Sequence, residues 1–144
     1  MISVRKLAFA GLILAAGVAY AEVEPTDPNV IARQDLMKTI GGATKALGDM
    51  AGGKVAYDAA AAEAAKATLV VASADIEAKF TPTTTDPAEE AKPEVWTNWE
   101  DFLVKAKGLT DAATALDTGS AESIGAGMAG VGGACKACHT TYRM

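Results

Sequence analysis

Apolar residues recur at intervals of three and four along most of the chain, the spacing of one face of an α-helix. Residues 28–50 predict a first helix, with Asp27 as its N-cap, Pro28 at its first position and Gly52-Gly53 after its end. Its inward face is predicted to comprise Val30, Arg33, Met37, Ile40, Thr44 and Leu47. The alternation typical of strands is sustained nowhere, which predicts an all-α protein.

Two further helices follow the same pattern. A second is predicted from an Asp58 cap to Phe80, and Pro93 begins a third that runs to Leu116. Between them, residues 81–92 are rich in threonine, proline and acidic residues and predict one long loop. The inward positions are predicted to be Ala62, Ala65, Leu69, Ala72, Ile76 and Phe80 in the second helix, and Trp96, Trp99, Leu103, Ala106, Ala113 and Leu116 in the third.

A fourth helix, capped by Ser120, is predicted to contain an unusual number of glycines. Its inward residues are predicted to be Ile124, Met128, Val131, Cys135, Cys138 and Tyr142, and its glycines are Gly125, Gly127, Gly130, Gly132 and Gly133. Each interior glycine costs roughly 0.5–1 kcal/mol relative to alanine. We therefore expect this helix to depend on its surroundings, and the glycines to admit a bulky neighbour.

Four amphipathic helices with mostly short connections predict an antiparallel, up-down-up-down four-helix bundle. In that order the first and fourth helices are neighbours that run in opposite directions. The start of the first helix is therefore predicted to lie beside the end of the fourth.

The N-terminal segment has the features of a secretory signal. Residues 1–21 contain Arg5 and Lys6, an apolar run from Leu7 to Ala19, and an A-x-A cleavage site ending at Ala21. The apolar run is shorter than the roughly 20 residues that cross a bilayer. We expect an exported, periplasmic bacterial protein with one domain, residues 22–144, and no membrane span in the mature chain.

Charge limits the partners of the mature chain. The full chain has 13 basic and 18 acidic residues, and removing Arg5 and Lys6 makes the net charge about −7. Nucleic acid is not expected as a partner, because phosphate binding depends on a basic surface.

The chain ends in C-K-A-C-H-T-T-Y-R-M, which contains both cysteines and the one histidine. A thioredoxin-type dithiol is expected after a strand, and a zinc site needs a fourth ligand. A disulfide between Cys135 and Cys138 explains neither His139 nor the glycines. C-x-x-C-H matches covalent attachment of a c-type haem, with two thiols about one helical turn apart and His139 beside them as an iron ligand.

The chain resembles the class II c-type cytochromes, the cytochrome c′ superfamily, over nearly all of its mature length. The resemblance rests on RQDLMK in the first helix, AYDAA at the second, Phe80, KPEVW and Phe102 in the third, and VGGACKACHTTYR at the end. It implies a four-helix bundle with one covalent haem c, bound through Cys135 and Cys138, with His139 as proximal iron ligand and Arg143 nearby. Helical spacing also places Arg143 one turn beyond His139.

A sixth iron ligand from the protein would be a methionine, since no second histidine is present. Met50 and Met128 lie roughly 20 Å and 16 Å along their helices from the predicted site, and Met144 leaves from the proximal side. Met37 is the methionine placed to reach the distal face. It either binds iron or only lines the pocket, and its Leu-Met-Lys context resembles the low-spin, His/Met branch of the family.

The ligands of the haem iron predict the function. With His139 and Met37 bound, the protein would be a one-electron carrier between redox proteins. With an open distal site, it would instead bind nitric oxide or carbon monoxide. An enzymatic role is not expected, because no distal histidine can act as acid or base.

The remaining expectations concern the surroundings of the haem and the assembly. Arg33 should lie near the haem, paired with a propionate or, alternatively, in a surface ion pair with an acidic neighbour. The resemblance places Trp96 and Phe102 towards the haem. It also implies a homodimer through the first two helices, for which residues 59–65 provide small side chains.

Overall fold

The structure, a computed structural model, describes residues 23–144. The predicted signal peptide, residues 1–21, lies outside this range. Six helices follow one another: α1 Pro28–Ala51, α2 Ala59–Ala74, α3 Ile76–Phe80, α4 Glu94–Thr97, α5 Trp99–Ala115 and α6 Ala121–Tyr142. In the described residues, no helix is both long enough and apolar enough to cross a membrane.

The predicted ends of α1 are confirmed. The Asp27 carboxylate accepts a hydrogen bond from the Asn29 N–H at 2.7 Å, and Pro28 is the first helical residue. Gly52 caps the other end, and Gly53 has a φ of +68°, a conformation that glycine adopts without strain. The inward face is only partly as predicted. Met37 and Thr44 are half-buried, and the buried residues are Val30, Arg33, Leu36, Ile40, Ala43, Leu47 and Met50.

The second predicted helix is interrupted at Asp75, so its prediction as one continuous helix to Phe80 was wrong. The Asp75 N–H bonds to the Ala72 carbonyl at 3.2 Å, which tightens the turn. Two residues before Asp75, the Ser73 hydroxyl donates a hydrogen bond to the Val70 carbonyl at 3.0 Å. Side-chain hydrogen bonds of this kind to the preceding turn often bend helices. Phe80 nevertheless lies buried at the end of α3, as predicted.

The third predicted helix is also divided, at Asn98, into α4 and α5. The buried face nevertheless continues across the break, because Val95 and Phe102 lie seven residues, or about two helical turns, apart. At the start of this segment it differs from the predicted face. Trp96, Trp99 and Leu103 are half-buried instead of forming the core. The buried residues of this segment are Val95, Phe102, Ala106, Leu109, Ala113 and Leu116.

Helix α6 begins at the predicted Ser120 cap, where Ser120 and Ser123 form a capping box. One of its glycines has a close protein neighbour. A Cβ at Gly127 would overlap the Cδ1 atom of Leu116, whereas a Cβ at Gly132 or Gly133 would have no neighbour within 4 Å. Gly127 therefore allows α5 to approach α6 closely.

The four long helices form an antiparallel four-helix bundle, as predicted. Helix α1 packs against α2 and α6, and α5 packs against the same two helices. The end of α1 lies beside the start of α6, since a Cβ at Gly125 would be 3.8 Å from the Ala51 Cβ. The start of α1 consequently lies beside the end of α6, where a large cavity opens.

Candidate functional site

All six residues that the sequence analysis selected line one cavity of about 670 Å³ at this end of the bundle. They are Arg33, Met37, Cys135, Cys138, His139 and Arg143. Ligand pockets generally have volumes of roughly 300–1,000 Å³, so this cavity can hold a cofactor.

The two cysteines project from the last turns of α6 towards the cavity. Both are half-buried and neither is in a disulfide. Burial raises the pKa of both thiols, whereas the thiols of redox dithiols have a lowered pKa. The site therefore does not have the electrostatics of a thioredoxin-type centre. Two uncharged thiols on one helical face, about a turn apart, suit covalent attachment to a flat macrocycle.

His139 follows Cys138 directly on the cavity wall. The residue as a whole is exposed, but partial burial of its ring lowers its pKa. The positive charge of Arg143 lowers this pKa further, and the negative charge of Glu90 opposes that effect. These effects favour the neutral imidazole, which is the form that binds a metal ion.

Met37 is half-buried and, among the methionines of residues 23–144, only Met37 lines the cavity. Met50 belongs to the hydrophobic core. Met128 lies towards the other end of the bundle, where its Cε would be 3.9 Å from a Cβ at Gly48. Met144 is largely exposed. Met37 is therefore the methionine on the cavity wall within these residues, and its binding to iron stays a prediction.

Aromatic rings form much of the apolar wall. Phe80 and Phe102 lie 5.2 Å apart between ring centroids, and Tyr142 meets Phe102 edge-on at 5.4 Å. All three line the cavity. Trp96 does not: it donates a hydrogen bond from its indole N–H to the Phe80 carbonyl at 2.8 Å. Of the two aromatic residues expected near the haem, only Phe102 faces the cavity.

Arg33 is 2% exposed, and all three nitrogens of its guanidinium donate hydrogen bonds. Its Nε donates to the Lys79 carbonyl at 3.0 Å, Nη2 to the Pro82 carbonyl and Nη1 to the Glu89 carboxylate. Phe80 and Trp96 lie against its guanidinium, at 5.3 Å and 5.1 Å from the ring centroids. The acidic neighbour is therefore Glu89, but the pair is buried and not the surface ion pair that was expected as the alternative. Contact with a propionate stays a prediction.

Arg143 has its own acidic partner. Its Nε and Nη2 lie 2.8 Å and 2.6 Å from the Glu90 Oε2. The backbone joins the same two segments, with the Met144 N–H donating to the Glu90 carbonyl and the Lys92 N–H to the Tyr142 carbonyl, both at 2.9 Å. Sequence reasoning missed Glu89 and Glu90, because a loop has no periodicity that shows which way its side chains face.

Tyr142 connects the cavity wall to α5. Its hydroxyl donates to the Asp101 carboxylate, which also accepts from Lys105 at 2.8 Å. Burial and Asp101 together raise the pKa of Tyr142 to about 12. Tyr142 is therefore a neutral hydrogen-bond donor that fixes the end of α6, not a titrating group near neutral pH.

The loop that carries Glu89 and Glu90 is anchored at the start of α1. The Asp86 carboxylate accepts from the N–H groups of Thr26, Asp27 and Ala88 at 2.7–2.8 Å. These bonds hold the pKa of Asp86 at about 2. The Thr84 hydroxyl donates to the Asp27 carboxylate at 2.8 Å, which completes the connection.

The residues on the cavity wall fit a covalently attached haem. Two thiols, an adjacent neutral imidazole and a facing thioether converge on an apolar cavity. Thiols, histidine and methionine are the groups that attach and ligate haem in c-type cytochromes.

Comparison with known proteins agrees with this assignment. The sequence pattern of the family described as Cytochrome C′ matches residues 29–143. The chain is 42% identical over 116 residues to cytochrome c-556 of Agrobacterium tumefaciens (strain apple 185). The aligned region covers 78% of this chain and 92% of the relative.

Solved structures show the same fold. Cytochrome c′ from Rhodobacter spheriodes superposes with a TM-score of 0.74 at 29% identity, covering 81% of this chain and 95% of that chain. A nitric oxide complex of a cytochrome c prime mutant from Alcaligenes xylosoxidans gives a TM-score of 0.71 at 30% identity, covering 80% and 93%. The cavity, the C-x-x-C-H helix and these matches lead to one conclusion: the chain belongs to the cytochrome c′ family, and its cofactor is one covalent haem c.

Proposed function

We propose that the protein is a periplasmic one-electron carrier with His139 and Met37 as the two axial ligands of the haem iron. A bound haem supplies an iron centre that gains and loses one electron. The observation that carries the proposal is the position of Met37, on the cavity wall and on the helix that runs antiparallel to α6. A thioether and an imidazole are a common ligand pair in electron-transfer haems.

The other residues of the wall have supporting roles in this proposal. Cys135 and Cys138 hold the cofactor covalently, and the rings of Phe80 and Phe102 exclude water from it. Asp101 fixes Tyr142 at the end of the helix that carries His139. A site held in this way changes little between oxidation states, which favours fast electron exchange.

Binding of a small diatomic gas is the second candidate function. A mutant of the Alcaligenes xylosoxidans relative has been solved as a nitric oxide complex. Met37 is unbranched and flexible, so it can fill space on the wall without binding iron. In that case the distal side of the iron is open to nitric oxide or carbon monoxide.

The absorption spectrum of the ferric, haem-loaded protein tests the ligation. With Met37 bound, we expect a low-spin spectrum with a thioether-to-iron band, and a Met37→Ala variant should lose the band and become high-spin. Met128→Ala is the matched control, because Met128 lies away from the cavity, and it should keep the parent spectrum. A high-spin parent spectrum without the band would favour the gas-binding function instead.

We do not propose an enzymatic role. General acid–base catalysis needs a side chain with a free proton site near the reacting group. The carboxylates of Glu89 and Glu90 on the cavity wall are both bound by arginines, and the chain has one histidine, His139. Haem-loaded protein that turned over peroxide rapidly would contradict this view.

We further propose a homodimer through α1 and α2. A groove of about 760 Å³ lies on this face, lined by Leu36, Thr39, Ala67, Thr68, Val71, Ala72, Ala74 and Asp75. Val71 is 71% exposed there, and exposed apolar surface of this kind marks contact sites. Sedimentation should show a dimer that Val71→Glu dissociates, whereas Val104→Glu, at the 70% exposed Val104 of α5, leaves it intact. A monomeric parent at high micromolar concentration would remove the proposal.

Export to the periplasm is part of the same proposal. The N-terminal sequence of the protein isolated from its native host should begin at Glu22. A protein retaining residues 1–21 would instead indicate an N-terminal anchor.

A further inference from the structure

Glu89 and Glu90 are adjacent carboxylates on the cavity wall, and each is bound by a different arginine. The Arg33–Glu89 pair lies in the interior, with side chains 3% and 12% exposed. The Arg143–Glu90 pair lies at the rim, where about half of each side chain is exposed. Only the second pair involves the segment that carries the haem-binding motif.

The Arg143–Glu90 pair is held more firmly than an ordinary surface ion pair. Exposed pairs contribute little, because two long side chains must be ordered to form them. Here the backbone hydrogen bonds between residues 90–92 and 142–144 pair Arg143 with Ala91, the neighbour of Glu90, and so hold the two chain segments together. Two nitrogens of Arg143 bind the same carboxylate oxygen. Much of the ordering cost is therefore met by the backbone pairing.

The same contacts fix the position of Arg143 relative to His139. The Arg143 N–H donates to the His139 carbonyl at 3.1 Å, and both side chains line the cavity. Arg143 is the positive group and Glu90 the negative group that act on His139. A change in how Arg143 is held thus changes the field at the proximal side of the iron.

We propose that Glu90 is a positioning residue for the haem site: it holds the Arg143 guanidinium against the wall beside His139, where the positive charge favours the ferrous over the ferric iron. A positive charge has this effect because oxidation adds positive charge to the same region. The proposal rests on the haem assignment and not on whether Met37 binds iron. Its test therefore has the same meaning for the carrier and for the gas-binding protein.

The reduction potential of the haem-loaded protein tests the proposal through a double-mutant cycle. Arg143→Gln should shift the ferrous-to-ferric equilibrium towards ferric by roughly two- to tenfold, the range that Coulomb's law gives for one unit charge at the edge of a cavity. In a Glu90→Gln background, where Arg143 is no longer held, the same Arg143→Gln change should have less than half of that effect.

Glu122→Gln provides the matched control, because it removes one exposed negative charge at the start of α6, at the other end of the bundle. In this background Arg143→Gln should have its full effect. An equal effect of Arg143→Gln with and without Glu90, or no effect in either, would overturn the proposal. In the first case Glu90 is an independent surface charge, and in the second Arg143 does not act on the iron.

Discussion

The buried ion pair between Arg33 and Glu89 gives the sharpest prediction about stability. Glu89→Gln removes the negative charge and leaves a guanidinium whose side chain is 3% exposed. Breaking a buried pair from one side generally costs 3–5 kcal/mol. Arg33 keeps the carbonyl acceptors of Lys79 and Pro82 and two aromatic neighbours. We therefore expect the lower end of the range, about 3 kcal/mol.

Thermal and urea unfolding of the haem-loaded protein measure this cost. For a domain of this size, about 3 kcal/mol corresponds to a fall in melting temperature of roughly 10–15 °C. The exposed pair between Lys107 and Asp111 is the control, with side chains 72% and 62% exposed. Asp111→Asn should change the free energy of unfolding by less than about 1 kcal/mol.

A second variant separates charge burial from lost packing. The double variant Arg33→Met, Glu89→Gln removes both buried charges together. Replacing a buried ion pair by uncharged groups of similar size is often nearly neutral. The double variant should therefore be more stable than Glu89→Gln alone. If Glu89→Gln costs no more than Asp111→Asn, the reasoning about the buried pair is refuted.

Two further predictions concern α6 and the loop. Gly132→Ala should stabilise the protein by about 0.5–1 kcal/mol. Gly127→Ala should destabilise it, because the new Cβ meets the fully buried Leu116. Equal unfolding free energies for the two variants would contradict this. The pKa of Asp86 in the folded protein, about 2, lies below the usual aspartate value of 3.8. Its stabilising effect is therefore complete above the unfolded pKa and disappears as the pH falls from about 4 to about 2. The melting temperature of Asp86→Asn should show less dependence on pH across this window than that of the parent, and parallel curves would count against the role of Asp86.

The helix termini were predictable from the sequence because capping is local. Asp27, Asp58 and Ser120 each bond to an N–H two or three residues further on, so the sequence signal and the structure coincide. The interruptions at Asp75 and Asn98 were not predictable from periodicity. Apolar spacing continues across both residues, as do the buried faces, and only the backbone hydrogen bonds show that the helices are interrupted there.

The haem-binding side of the site was predictable for the same reason, since Cys135, Cys138 and His139 are neighbours in sequence and in space. Met37 required the antiparallel order of the helices as well. Glu89 and Glu90 could not be found, because their partners lie 56 and 53 residues away. Such pairs are determined by the path of the 81–92 loop, which no pattern in the sequence describes.

Carbon monoxide binding to the reduced, haem-loaded protein tests the central claim most directly. Met37 is the methionine on the cavity wall, and a bound thioether blocks the distal side of the iron. We predict that the parent binds carbon monoxide slowly or not at all, that Met37→Ala binds it readily, and that Met128→Ala behaves as the parent. A parent that binds carbon monoxide as fast as Met37→Ala would contradict the carrier function and favour an open, gas-binding site.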